Sequence, residues 1–308
     1  MNSNTKSAFV AVVGRPNVGK SSFINRVIGN KVSIVSNKPQ TTRTNIMGVL
    51  NKEETQIVFI DTPGFHKPKN LLGEKMVKST KEGLSQVDAV LFMADASYDI
   101  SRDGGFINPT EETLLKSVAK IGAPVVLAIN KIDKLEDKSA LLEIISMYSK
   151  SFSFDDIFPV SVSSGDGIDD IMQKICGFAV DSPHYFPDDA ISDQPDKLMV
   201  AELIREKILR LYDKEIPHGV AIDIERFFEK DGSNGEPLLV VEATIYCEKE
   251  SHKGILIGKQ GAALKKTGTL ARRDIENFFG VKTSLQLWVK VKEDWRNRGG
   301  IIHNFGLD

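Results

Sequence analysis

Eight residues near the N-terminus, Gly14-Arg15-Pro16-Asn17-Val18-Gly19-Lys20-Ser21, fit the pattern GxxxxGK(S/T). A glycine-rich turn between a strand and a helix can curl its backbone N–H groups around a phosphate, and the helix N-terminus adds a favourable dipole. Lys20 then supplies a cation for the β- and γ-oxygens. Ser21 supplies a hydroxyl ligand for Mg²⁺, with Ser22 beside it on the helix. Farther on, Asp61-Thr62-Pro63-Gly64 closes a second strand-like run. A carboxylate there can reach Mg²⁺ through water, and the Gly64 N–H can point at a γ-phosphate.

Asn130-Lys131-Ile132-Asp133 follows the apolar run Pro124–Ile129. Guanine presents an N1–H and an exocyclic amine side by side, and one carboxylate, Asp133, can accept both. Adenine offers neither donor there, and a buried polar group left unpaired costs about 1–3 kcal/mol. Asp133 therefore selects guanine, Asn130 is expected to tie loops together, and the Lys131 stem to cover the base face. Ser161-Val162-Ser163 follows another apolar run and resembles a last guanine loop, in which a backbone N–H meets the base oxygen; a simple serine-rich turn is the alternative.

These motifs need a scaffold that delivers loops to one edge. The runs Ala8–Val13, Gln56–Ile60, Ala89–Ala94, Pro124–Ile129 and Ile157–Val160 are short and rich in Val, Ile and Phe. Segments of helical composition lie between them: Lys20–Ile28, Glu111–Lys120 and Lys138–Ser149. That alternation predicts a mostly parallel sheet with helices on both faces. Residues 181–197 break it, with Pro183, Pro187 and Pro195 among aspartates, and read as an interdomain linker. The expected division is a nucleotide-binding domain over 1–180, the linker 181–197, and an α+β domain over 198–308.

In the last part, the helix Leu198–Leu211 precedes strands Val220–Phe227 and Leu238–Cys247, a helix–loop–helix stretch from Gly254 to Phe279, and a final strand Leu285–Val291. Gly258-Lys259-Gln260-Gly261 is a GxxG loop preceded by an apolar stretch. Such a loop lets backbone approach the phosphates of about four nucleotides beside an apolar groove. Ile255, Leu256 and Ile257 are candidates for the groove wall. Lys253, Lys259, Lys265, Lys266, Arg272 and Arg273 are candidates for steering the RNA backbone. Between Lys253 and Arg298 eleven basic residues face four acidic ones, a local +7 that the chain's net charge of −2 conceals.

Composition closes off other classes. At 308 residues the chain is long for one core, and 41% hydrophobic with 27% charged residues excludes disordered and fibrous types. Two distant cysteines, Cys176 and Cys247, and five scattered histidines exclude a disulfide scaffold and a structural zinc site. No apolar run reaches membrane-spanning length.

The motifs Gly14–Ser21, Asp61–Gly64 and Asn130–Asp133 resemble those of the translation-factor-related small GTPases. Pro39-Gln40-Thr41-Thr42-Arg43 resembles switch I of the Era branch. The order α-β-β-α-α-β with a GxxG loop resembles a type II KH domain. Together they resemble that branch over nearly the whole chain, with Val162 standing where the family usually has alanine. The resemblance implies an α/β P-loop GTPase domain followed by an α+β type II KH domain, using GTP/GDP and Mg²⁺. It gives Thr42 the switch role on Mg²⁺ and the γ-phosphate, with Thr41 as the alternative. Lys20, Thr42 and Gly64 would act in catalysis. Asn17 would bind K⁺, whose charge could do the work of an arginine finger; Arg15 and Arg43 are further candidates for phosphate contact. Phe65 stands where Ras-like proteins have a water-orienting glutamine, and is expected to pack on switch II.

The resemblance further implies binding to small-subunit ribosomal RNA near its 3′ end and assistance in maturing the small ribosomal subunit. It implies a cytoplasmic monomer with peripheral inner-membrane contact and no DNA partner.

Overall fold

The computed structural model describes residues 5–64, 68, 70–84, 86–97, 106–137, 139–232 and 235–307. The chain forms two compact units. The first comprises 1–33, 42–67 and 76–193, and the second 34–41, 68–75 and 194–308.

The first unit runs β1 (Lys6–Gly14), α1 (Lys20–Ile28), β2 (Ile46–Lys52), β3 (Thr55–Asp61), α2 (Leu71–Gly83), β4 (Ala89–Asp95), α3 (Pro109–Val118), β5 (Val125–Asn130), α4 (Ser139–Ser151), β6 (Asp156–Pro159), α5 (Ile168–Cys176) and β7 (Val180–Asp181), although the first turns of α2 group with the second unit. The sheet order is β2-β3-β1-β4-β5-β6, with β7 pairing β1. β1, β3, β4, β5 and β6 are mutually parallel, whereas β2 runs antiparallel to β3 and β7 to β1. Every residue of β5 and all of β4 but Asp95 are buried, the continuous apolar pattern of strands covered on both faces.

One core joins α1 and α5 to the sheet through Phe23, Ile24, Ile171 and Ile175. The other joins α3 and α4 through Leu114, Leu115, Val118, Ile144 and Tyr148. Phe23 and Phe59 meet edge to face at 5.9 Å and 84°. α3 begins two residues before the run of helical composition, because Asn108 accepts from Thr110 N and Pro109 occupies the first turn. β2 was not visible to periodicity, since residues 46–50 show no alternation, and its place is set by pairing with β3 on one side and with residues 191–193 on the other.

The proline-rich segment after β7 is no free tether. Residues 181–193 lie in the first unit. Ser182 N donates to Thr5 O, and Ser192 bridges Gly48. Gln56, fully buried, accepts from Tyr185 N and Phe186 N and donates to Phe186 O and Asn51 Oδ1. The prolines block a ladder, and one side-chain amide satisfies the backbone instead.

The second unit contains α6 (Asp196–Leu211), β8 (Ala221–Asp231), β9 (Pro237–Cys247), α7 (Glu250–Ile257), α8 (Ala262–Phe279), β10 (Lys282–Val291) and α9 (Gly299–Asn304). β9 is central, parallel to β10 and antiparallel to β8. The core faces of α6, α8 and the sheet meet through Leu203, Ile204, Val241, Ile245, Ala271 and Ile275. α6 buries charges as well as apolar residues. Arg205 pairs with Glu202, and Lys207 pairs with Glu206 and with Asp274 of α8.

Replacing Gln56 by Leu takes the side-chain partner from three part-buried backbone groups, the N–H groups of Tyr185 and Phe186 and the Phe186 carbonyl. Gln56→Leu is expected to cost about 3 kcal/mol in urea denaturation and to speed native-state proteolysis within 183–190.

Candidate functional site

The parallel strands β1, β3, β4 and β5 deliver their C-terminal ends to one edge, where the chain leaves the sheet through the singled-out motifs. In open α/β sheets, ligands bind at such an edge, in the crevice outside the carboxyl ends of the strands. β1 ends at Gly14 and α1 starts at Lys20, so the phosphate-type loop spans the gap. The turn needs left-handed backbone at Asn17 (φ 67°) and Gly19 (φ 111°). At Gly19 any Cβ would lie 2.3 Å from Asn130 Nδ2, so glycine is demanded by the neighbouring loop as well as by φ.

Lys20 is buried, and its Nζ donates to Gly14 O and Arg15 O at 3.1 Å each. Desolvation pulls its pKa down to about 8, opposed by the Asp61 carboxylate. Asp61 is fully buried, and burial pushes its carboxyl up against the pull of Lys20, Ser21, Ser33 and Thr42. Ser21 Oγ donates to Asp61 Oδ2 at 2.7 Å. Thr42 Oγ1 lies 3.4 Å from the same oxygen and 3.2 Å from Ser21 Oγ. Asp61 Oδ1 is buried with no hydrogen-bond partner among the described residues. Two hydroxyls and a carboxylate with one orphaned oxygen are the hard donor set that suits Mg²⁺. Thr41 turns its hydroxyl instead to Lys38 O at 2.6 Å. Gly64 sits against the loop, where a Cβ would be 3.0 Å from Pro16. Ser22 is half-buried on α1, and Val18 is buried. Phe65 lies outside the described residues.

Asn130 joins three loops: its Nδ2 donates to Val18 O at 2.7 Å, and its Oδ1 accepts from Val162 N at 2.9 Å. Lys131 pairs with Asp95 at 2.5 Å. Asp133 is exposed, and Ser161 Oγ donates to its Oδ1 at 2.6 Å, which with Ser163 holds the carboxyl below its usual range. The loop after β6 is braced by Arg26 of α1, which donates to the carbonyls of Val162, Ser163 and Ser164. Arg26 was missed because nothing in its spacing from Val162 announces the contact. Arg43 is buried rather than solvated.

In the second unit, Gly258 (φ 73°), Gln260 (φ 50°) and Gly261 (φ 78°) form the turn between α7 and α8. A Cβ at Gly258 would lie 2.6 Å from Ala263 Cβ. A groove of about 370 Å³ beside the turn is lined by Gly261, Leu264, Lys265, Thr269, Arg272 and Leu287 among others. Leu256 is buried in the core, Ile255 is 51% exposed, and Ile257 packs against the core, while residues of α8 and β10 line this groove. Positions 265, 268, 269 and 272 share a helical stripe, while Lys266 and Arg273 are exposed about 100° farther round. Lys259 and Gln260 lie in the turn outside the groove lining.

The sequence matches a family model described as "50S ribosome-binding GTPase" over residues 9–131 and a KH domain model over 215–296. It is 48% identical to GTPase Era of Clostridioides difficile (strain 630) over 303 residues, covering 98% of this chain and 99% of that protein. It is 44% identical to GTPase Era of Staphylococcus epidermidis over 301 residues, covering 98% and 97%. Among solved structures, an Aquifex aeolicus Era variant bound to GDP and AlF4⁻ superposes with a TM-score of 0.90 at 37% identity, covering 98% of this chain and 99% of that one. A structure of Era with MgGDPNP and nucleotides 1506–1542 of 16S ribosomal RNA gives the same values.

Because the Lys20 ammonium is the form that attracts phosphate, raising pH through about 8 removes that attraction. The Kd for GDP is expected to rise between about pH 7 and 9, approaching tenfold per unit at the upper end. Equilibrium titration with a fluorescent GDP should show weak, pH-independent binding for Lys20→Ala.

Proposed function

The chain belongs to the Era family of GTPases, and from that premise we propose that it is a GTP-driven switch that binds small-subunit ribosomal RNA near its 3′ end and assists maturation of the small ribosomal subunit. The observation that carries this reading is the pairing, in one chain, of a GTP-type loop set with a GxxG turn opening onto a groove that presents Lys265 and Arg272. The RNA identity rests on the relative solved with nucleotides 1506–1542 of 16S ribosomal RNA.

Residues 1–180 bind and hydrolyse GTP, and residues 198–308 bind RNA. Gly14, Asn17, Val18, Gly19, Lys20, Ser21 and Ser22 cradle the phosphates. Ser21, Thr42 and Asp61 would hold Mg²⁺, which neutralises charge on the phosphate oxygens when bound. Thr42 takes this role over Thr41 because its hydroxyl is the one beside Ser21 and Asp61. Asn130, Lys131, Asp133, Ser161, Val162 and Ser163 receive guanine; Asp133 is ionised throughout the physiological range, as acceptance of two donors requires. Thr42 and Gly64 respond to the γ-phosphate.

With no glutamine after the Asp61–Gly64 motif, intrinsic hydrolysis is slow, and Asn17 offers K⁺ a place near the phosphates. Turnover is expected to be several-fold faster in potassium than in sodium buffer; equal rates remove K⁺ from the mechanism.

Gly258, Lys259, Gln260 and Gly261 let RNA backbone approach, with Ile255, Ile257, Lys265, Lys266, Arg272 and Arg273 around it. Coupling is reciprocal, so GTP and RNA strengthen each other's binding by the same factor. The protein acts as a cytoplasmic monomer with peripheral inner-membrane contact; among the described residues no helix is long and apolar enough to cross a membrane.

GTP turnover measured with and without a short RNA matching the 3′ end of small-subunit rRNA tests the reading. RNA should stimulate turnover, and the double variant Gly258→Asp, Gly261→Asp should lose the stimulation while keeping basal activity. Turnover indifferent to RNA, with none bound, leaves a GTPase and removes the ribosomal assignment.

A further inference from the structure

Arg15 lies inside the phosphate loop, between Gly14 and Pro16, and its guanidinium is engaged from a different direction from the other loop residues. Its Nε donates to Glu111 Oε1 at 2.9 Å. Glu111 stands in the first turn of α3 and is 1% exposed. Its second oxygen, Oε2, accepts from Tyr148 Oη of α4 at 2.8 Å. Tyr148 is itself buried and meets Phe154 edge-on at 6.5 Å. The backbone oxygen of Arg15 accepts from Lys20 Nζ. One continuous set of hydrogen bonds therefore runs from α4 through α3 to the phosphate loop and its lysine.

A carboxylate in this place is costly. Burial pushes the Glu111 carboxyl up, against the pull of Arg15 and of the Tyr148 hydroxyl, and a buried ion pair is often no more stabilising than apolar residues of the same volume. Core filling alone does not call for it. What the pair supplies is position, because a carboxylate fixed through Oε2 by Tyr148 presents Oε1 to Arg15 Nε at a set place in a charge-assisted hydrogen bond.

We propose that Glu111 is a positioning residue for nucleotide binding: from α3 it holds Arg15, and with it the loop carbonyl that receives Lys20, while Tyr148 holds the Glu111 carboxylate. Arg15 acts through the shape of the loop rather than as a phosphate ligand. The inference rests on the GTP-binding role of this loop and is independent of RNA.

The test compares Glu111→Gln, Tyr148→Phe, Arg15→Met and the double variant Glu111→Gln, Arg15→Met in the full chain without RNA. Kd values for fluescently labelled GDP and GTP are measured beside single-turnover hydrolysis at saturating GTP, with urea denaturation as a check on folding. Glu111→Gln should raise both Kd values by about tenfold, less than the loss when a directly contacting buried charge is truncated, because Glu111 acts through Arg15, and change the saturated rate by less than about twofold. Tyr148→Phe should shift Kd the same way by a smaller factor. In the Arg15→Met background Glu111→Gln should add nothing, because its effect passes through Arg15. Unchanged Kd values, a loss of rate at unchanged Kd, or an equal loss in both backgrounds overturns the inference. If Glu111→Gln does not fold, Tyr148→Phe with and without Arg15→Met decides by the same criterion. Failure of the unmodified protein to bind GDP would instead remove the nucleotide-binding assignment itself.

Discussion

Lys20, at the start of α1, and Asp61, at the end of β3, are opposite charges withdrawn from water, and the first unit is organised around keeping them there. Burial drives each toward its neutral form, and each charge resists the other's shift. Two carbonyls hold the lysine, and Ser21 and Thr42 hold one oxygen of the carboxylate. The orphaned Oδ1 is the part of the arrangement that protein alone does not satisfy. A polar cluster left incomplete in this way costs stability, and a bound cation offsets that cost.

That geometry depends on strand register. The pairing of Val12 with Asp61 across β1 and β3 brings the metal-type carboxylate level with the start of the phosphate loop. β4 and β5 are paired so that Asp95 lies opposite Asn130, and Lys131 then reaches back to Asp95. A one-residue slip would turn these side chains to the other face of the sheet. Asn130 converts the shared edge into a single site by binding Val18 and Val162 at once.

In the second unit the same division of labour recurs with different parts. The turn at 258–261 uses left-handed backbone to bring α7 and α8 close, and the α8 stripe then runs along β10. Basic side chains on that stripe sit beside Leu264, Leu285 and Leu287, which combines an electrostatic attraction for phosphate with a surface for bases.

The loops that carry chemistry were legible in the amino-acid order because their requirements are local. Glycine at 19, a lysine and serine at 20 and 21, a carboxylate at 61 and the run 130–133 each meet a need that backbone shape and side-chain type express within a few residues. The alternation of apolar runs with helical stretches likewise announced a parallel sheet. Contacts between distant segments were not legible: Arg26 on the 162–164 carbonyls, Gln56 holding 185–186, and Glu111 on Arg15 follow from no spacing. The lining of the groove beside the turn was not legible for a related reason. Apolar residues at 255–257 carry no mark that distinguishes core from surface, and only the packing of α7, α8 and β10 decides that Leu256 goes inside while Leu264 and Leu287 line the groove.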